Sequence, residues 1–177
     1  MTAKNLLSDF KFFSEVRSDS LEAIARLGEI VEYSSGDAIF SFDEPAIYLY
    51  GLIEGEVDLS VVYKDKVLKT EIEYEEAIQS RLVEEEKAIV VDTVYPGQVF
   101  GWASLVGPAR RTVTAHCTQI CRIVTLPAAE LRTMFEANTA LGYVVMNKMS
   151  DIISKRLKKR TEKLIETWVE AFDVDEI

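Results

Sequence analysis

The sequence predicts a mainly β fold flanked by helices: short helices first, then a sandwich or jelly-roll barrel, then one long helix. Three observations carry this. Period-two alternation runs from residue 29 to 126, broken by turn pairs such as Gly36-Asp37 and Pro96-Gly97. Helical spacing precedes it. Helical spacing also returns after Pro127 and runs to about Phe172 without a further proline. The 177 residues suit one domain with an appendage. That length buries a normal core without disulfide or metal staples.

The N-terminal segment, Lys4 to Leu27, reads as short helices. Leu6, Leu7, Phe10 and Phe13 share one face. The stretch "SDSLEAIARLG" offers Asp19 or Ser20 as a cap, Leu21, Ile24, Ala25 and Leu27 as an apolar side, and Gly28 as a stop. Two strands follow in "EIVEYSSGDAIF", split at Gly36-Asp37. "AIYLYGLIEGEVDLSVVY" reads as a pair around Glu54-Gly55-Glu56, a hairpin signal. "YKDKV" reads as another turn, and "KAIVVDTVYPGQVFG" as a strand ending at Pro96-Gly97. "RRTVTAHCTQICRIVTL" holds two more strands, so seven or eight short strands are expected. Residues 70–87 break the alternation with a Glu-rich run. It reads as an exposed acidic excursion from a hairpin, with a partner-binding lobe as the alternative. After Pro127 comes a short helix with Leu131, Met134 and Phe135 apolar and Asn138 near its end. From Thr139 one helix of ~34 residues spans ~50 Å.

Composition narrows the function. Apolar residues make up 48% and charged residues 28%, a globular balance. A net charge of -10 disfavours phosphate backbones as partners unless cations gather on one face. Cys117 and Cys121 are too few for a secreted disulfide framework. No signal-peptide core and no membrane-length apolar run occur. A soluble cytoplasmic protein with no membrane contact is therefore expected. His116 is the sole histidine, and strand neighbours 116 and 117 face opposite ways, so no metal site is expected. No catalytic set can be assembled either, and an enzyme is not expected. A jelly-roll enzyme would need a metal-binding histidine cluster.

The stretch "FGWASLVGPARRTVTA", residues 100–115, concentrates the chemistry. Gly101 permits close backbone approach. "WASL" can form one helical turn, and Arg110 or Arg111 can close a charge-assisted bond to an anion. The segments "VEYSSGDAIF", "YGLIEGEVDL" and "YPGQVFGWASL", in this order and spacing, resemble the cyclic nucleotide-binding domain family. That family includes catabolite-activator and fumarate-nitrate regulators and protein kinase A regulatory subunits. The resemblance runs from about Phe10 to Leu157. It implies a jelly-roll (double-stranded β-helix) barrel whose phosphate-binding cassette holds the ligand. The ligand-binding set carried over is Gly101, Trp102, Ala103, Ser104, Arg110, Arg111 and Thr112.

Two departures alter what the resemblance implies. The family's ribose-binding glutamate is replaced by Trp102, which cannot accept that hydrogen bond. Anchoring on Val113-Thr114-Ala115 places Ala109 where the phosphate arginine belongs, with Arg110 and Arg111 one and two positions late. Neighbours on a strand face opposite ways, so the two arginines cannot both point inward. The sequence leaves open which does. Cyclic AMP is therefore not the expected ligand, and no cofactor is assigned beyond a small anionic or nucleotide-like effector. The expected function is a non-enzymatic effector-sensing module, with a protein-interaction module carrying a vestigial, ligand-free pocket as the alternative.

The expected organisation is a jelly-roll domain over 1–138 and a dimerisation helix over 139–177. Only "DVDEI" follows Phe172, too short for a recognition helix, so no DNA binding by this chain alone is expected. A separate output protein is the remaining partner. The basic run Lys155 to Lys163 reads as a solvated helix face, with contact to an acidic partner or to the Glu-rich 70–87 segment as the alternative. Leu141, Val145, Met149, Ile152, Ile153, Leu157, Leu164 and Trp168 read as one continuous apolar stripe. A domain with a radius of gyration near ~16 Å cannot cover it all. A homodimer through this helix follows, as the resemblance also implies.

Overall fold

The computed structural model describes residues 7–74, 77–106 and 109–172, with 65–74, 77–85 and 172 as backbone alone. A 3-10 turn at Lys11–Phe13 precedes helix α1 (Ser18–Leu27). Eight strands follow: β1 (Glu29–Tyr33), β2 (Ala38–Phe40), β3 (Tyr48–Glu54), β4 (Val57–Tyr74), β5 (Ala77–Val94), β6 (Val99–Phe100), β7 (Thr114–Cys117) and β8 (Cys121–Pro127). Helices α2 (Ala128–Ala137) and α3 (Thr139–Phe172) complete the chain. The strands form two four-stranded antiparallel sheets, ordered β1-β8-β3-β6 and β2-β7-β4-β5. This is the jelly roll that the strand count and turn spacing predict.

The first sheet is covered on both faces, and side-chain alternation explains how. Tyr50, Leu52 and Ile123 point into the barrel, joining Phe40, Val57 and Phe100. Leu49, Val124 and Leu126 point the other way, onto Phe10, Ile24, Leu131 and Met149 from the helices. The helices therefore share one core with the back of the sheet, so the barrel and the start of α3 pack as one body.

Four expectations change. The hairpin signal at Glu54-Gly55-Glu56 is a crossing between sheets, since β3 and β4 belong to different ones. Gly55 sits at φ 98, with Ile120 O 2.5 Å and Cys121 Sγ 2.6 Å from where a Cβ would lie. The turn expected at "YKDKV" is continuous strand. It contains neither Gly nor Pro, and the register sets Lys64 opposite Glu86, an opposite-charge pair. The described part of the acidic run, 70–74 and 77–87, accordingly belongs to the far part of the β4–β5 ribbon, each strand of which is 18 residues long. Its side chains at 70–85 lie outside the described residues. Helix α1 begins before the expected cap: Arg17 is the N-cap position, and Asp19 accepts from Ser20 N at 2.7 Å inside the first turn. As expected, Asn138 stands at the end of α2, and its Oδ1 also accepts from Leu141 N at 3.1 Å and caps the long helix.

The apolar positions of α3 are the fourth. Leu141, Val145 and Met149 are buried against the barrel, and Ile152 packs beside them. Leu157, Leu164 and Trp168 are 66%, 58% and 60% exposed. At about 100° per residue the second group lies roughly a third of a turn from the first. The stripe read as continuous is two stripes on different faces.

Replacing Gly55 with alanine tests the crossing. Its positive φ and the crowded Cβ position predict destabilisation by about 2 kcal/mol or more in urea unfolding. An unchanged unfolding midpoint would contradict this packing.

Candidate functional site: the cassette and the long helix

The loop before β7 decides the fate of the two arginines. Ala109 takes φ 54, and residues 109–111 run antiparallel to 43–46. Ala46 N donates to Ala109 O at 2.7 Å, Arg111 N to Glu44 O at 2.9 Å, and Asp43 N to Arg111 O at 2.9 Å. This pairing fixes which neighbour points in. Arg110 points out, and its Nε and Nη2 donate to the two Asp43 carboxylate oxygens at 2.6 and 2.9 Å. The hydrogen bonds and charge of this pair raise the Arg110 pKa and lower that of Asp43. The pair is exposed on both sides, so its worth to stability is small.

Arg111 points in and is 3% exposed. Its Nη1 donates to Gly101 O and its Nη2 to Tyr48 O, both at 2.9 Å. Its guanidinium carbon stands 4.2 Å from the Phe40 ring centroid and 5.1 Å from that of Tyr50. Tyr50 in turn stacks on Phe100, centroids 5.1 Å apart. Burial pushes the Arg111 pKa down, with Tyr50 opposing; a guanidinium stays charged even so. Two carbonyls and two ring faces therefore solvate a cation held at the end of the barrel core. Its Nε has no partner among the described residues. Gly101 has to be glycine here: φ is 75, and a Cβ would lie 2.8 Å from Arg111 Nη1 and from Tyr50 Cδ2.

The expected helical turn is a three-residue 3-10 turn, Trp102–Ser104. Gly101 O accepts from Ser104 N at 3.2 Å as well as from Arg111, so turn and arginine share one acceptor. Arg132 Nη1 donates to Ser104 O from α2. The Trp102 ring turns toward α3, where the Arg156 guanidinium carbon lies 4.5 Å from its centroid. Arg156 Nε pairs with Asp92 Oδ2 at 3.3 Å, and its Nη2 donates to Val99 O at 3.3 Å. Lys159 Nζ reaches the other Asp92 oxygen at 3.5 Å. Burial lowers the Arg156 pKa; Asp92 opposes this and Arg160 adds to it. The basic run is thus not wholly a solvated face, because the Arg156 side chain is only 13% exposed.

Between the turn and the barrel, a cavity of about 20 Å³ is bounded by Phe40, Leu59, Gly101, Trp102, Ala103, Arg111, Thr112, Val113 and Arg160. That is room for about one water. Of the sequence-derived set, Gly101, Trp102, Ala103, Arg111 and Thr112 meet there. Ser104 is buried without lining it, and its hydroxyl has no partner among the described residues. Arg110 lies outside. The sequence reading missed Phe40, Tyr50 and Asp92, and took Arg156 as solvated. The aromatic residues read only as strand core, and nothing local to Asp92 ties it to a helix more than sixty residues on.

The remaining reactive groups are separate. His116 is exposed, whereas Cys117 and Cys121 are buried free thiols. Burial, with Cys121 adjoining, pushes the Cys117 thiol up to about 12, so it is protonated at neutral pH. Among the described residues no group of three or more His, Cys, Asp and Glu is placed to hold a metal ion, and no helix is long and apolar enough to cross a membrane.

This geometry has relatives. No curated protein sequence matches the chain. Among solved structures, a protein of the cyclic nucleotide-binding type from Geobacter metallireducens is 29% identical. Its TM-score is 0.66, over 89% of this chain and 98% of that one. A cyclic nucleotide-binding domain from Methylobacillus flagellatus is 13% identical, with a TM-score of 0.67 over 94% and 82% of the two chains. The sensor domain of the transcriptional regulator DNR from Pseudomonas aeruginosa is 17% identical, with a TM-score of 0.58 over 88% and 91%. The family model for the cyclic nucleotide-binding domain matches residues 30–138, which is more than half of the sequence. The barrel, the cassette turn and the inward arginine all lie inside that match or on its edge, and the chain belongs to the cyclic nucleotide-binding domain family.

Proposed function

We propose that this chain is a non-enzymatic regulatory module whose cassette is degenerate and closed by its own side chains, and that it works as a homodimer through α3. One observation carries the first half. The cassette cavity holds about 20 Å³, and both terminal nitrogens of Arg111 are already given to backbone carbonyls. A ring-bearing phosphate ester would have to displace those bonds and move Trp102 off Arg156. No carboxylate in the turn repays the cost, because Trp102 stands where the family's glutamate binds ribose. Among the sequence readings, this geometry favours the ligand-free cassette over a cassette filled by a small anion. The unpartnered Arg111 Nε and Ser104 hydroxyl support a narrower second reading, in which a water or very small anion enters when the turn opens.

The second half rests on α3. Past Ile153, the exposed Leu157, Leu164 and Trp168 continue at helical spacing on one face, with Ile165 beside them. A two-fold copy of the same face is the simplest cover. The organisation that fits is a barrel domain over 1–138 with 139–177 as its dimerisation segment.

Calorimetry with cyclic AMP and cyclic GMP checks the closed cassette. No binding tighter than about 1 mM is expected. Micromolar binding of either would overturn the reading. Light scattering checks the assembly: twice the chain mass is expected at micromolar concentration, falling to the single-chain mass on Leu157→Lys. A monomeric parent, with Leu157→Lys leaving mass and solubility unchanged, would rule the dimer out.

A further inference from the structure

A second cavity lies on the other side of Arg156. It holds about 390 Å³, within the ~300–1,000 Å³ usual for small-molecule sites. Its walls come from three places: the N-terminal 3-10 turn (Lys11, Phe12), the β5–β6 connection (Asp92, Tyr95, Val99) and α3 (Ile152, Lys155, Arg156, Lys159). The lining holds four cations, Lys11, Lys155, Arg156 and Lys159, against one carboxylate, Asp92, a surplus of three positive charges. That surplus sits on a chain of net charge -10.

Lys158, on the outer side of α3, has its own partner, Glu162, at 3.8 Å. Lys148 pairs with Glu15. Asp92 already receives both Arg156 and Lys159, at 3.3 and 3.5 Å. Lys11 and Lys155 meet no carboxylate among the described residues, although they come from elements some 140 positions apart in the chain. Arg156 Nη1 is buried with no partner among the described residues. Phe12, Val99 and Ile152 give the cavity an apolar floor, and the half-exposed Tyr95 ring gives it one aromatic wall. At ~100° per residue the cavity-lining face of α3 is roughly 130° from Leu157 and Leu164, so occupation leaves the dimer face free.

From this geometry we infer that the cavity between the 3-10 turn, the β5–β6 connection and α3 binds an organic polyphosphate ester carrying a flat ring. Lys11 and Lys155 take the phosphate groups together with Lys159, and the ring lies on Tyr95 and the apolar floor. Arg156 is the wall shared with the cassette, since the guanidinium that borders the cavity also covers Trp102. An anion drawing Arg156 and Lys159 away from Asp92 therefore alters the Trp102 contact. The site goes beyond the closed-cassette reading and does not depend on it.

The test is calorimetry of the full chain at low salt with ADP, adenosine and inorganic pyrophosphate, without metal. ADP is expected to bind at about 10–100 μM, with adenosine and pyrophosphate each at least tenfold weaker. The double variant Lys11→Glu/Lys155→Glu, whose sites are exposed and whose fold is checked by circular dichroism, is expected to lose ADP at least tenfold. In a Trp168→Phe background, ADP is expected to change the Trp102 fluorescence. No heat with ADP at 1 mM would overturn the inference, as would charge reversal without effect. Adenosine or pyrophosphate binding as tightly as ADP would overturn the ring-plus-phosphate assignment. Cyclic AMP titrated on the same samples separates the two readings: cyclic AMP heat that survives Lys11→Glu/Lys155→Glu counts against the closed cassette, whereas ADP heat abolished by that variant supports the second cavity.

Discussion

The cation of Arg111 inside the barrel is the constraint on which the cassette depends. A buried guanidinium is costly unless its donors are met. Here two are met by the carbonyls of Gly101 and Tyr48, and its faces lie on Phe40 and Tyr50. These contacts dictate the neighbours. Gly101 has to lack a side chain and the turn has to bring its carbonyl inward. The 109–111 strand has to pair with 43–46 so that Arg111, not Arg110, enters. These contacts hold the Arg111 guanidinium in place within the fold.

A second cation ties the cassette to the helix. Arg156 stacks on Trp102, pairs with Asp92 and donates to Val99 O. The cassette turn, the end of β5 and α3 thereby meet at one side chain. Trp102, which removes the ribose-binding carboxylate, gains a role in this arrangement as the flat surface on which that cation rests. The turn and the helix are coupled through these contacts.

Much of this was legible in the sequence, and the exceptions share a cause. Strand alternation, turn pairs and helical spacing show the jelly roll and its flanking helices because those signals are local. The order of "YSSGDAIF", "YGLIEGEV" and "PGQVFGW" shows the family. Misreadings arise where the deciding contact is distant. Glu54-Gly55-Glu56 looks like a hairpin turn because the sequence does not show that β3 and β4 enter different sheets. "YKDKV" looks like a turn because its charges suggest solvent, and a two-stranded ribbon tolerates charge on both faces. The inward arginine could not be chosen from spacing, since the choice is made by hydrogen bonds to residues 43–46. Arg156 looked solvated because Trp102 and Asp92 reach it only in three dimensions.

Unfolding of Arg111→Met in urea, without any ligand, tests the central claim most directly. Methionine keeps much of the volume but removes the guanidinium donors from the carbonyls of Gly101 and Tyr48, leaving Gly101 O only its bond from Ser104 N. If Arg111 is part of the scaffold, stability falls by about 2 kcal/mol or more. If Arg111 were instead a binding arm held at a cost in the empty cassette, removing its charge would leave stability unchanged or raise it. A variant as stable as the parent, or more so, would contradict the account.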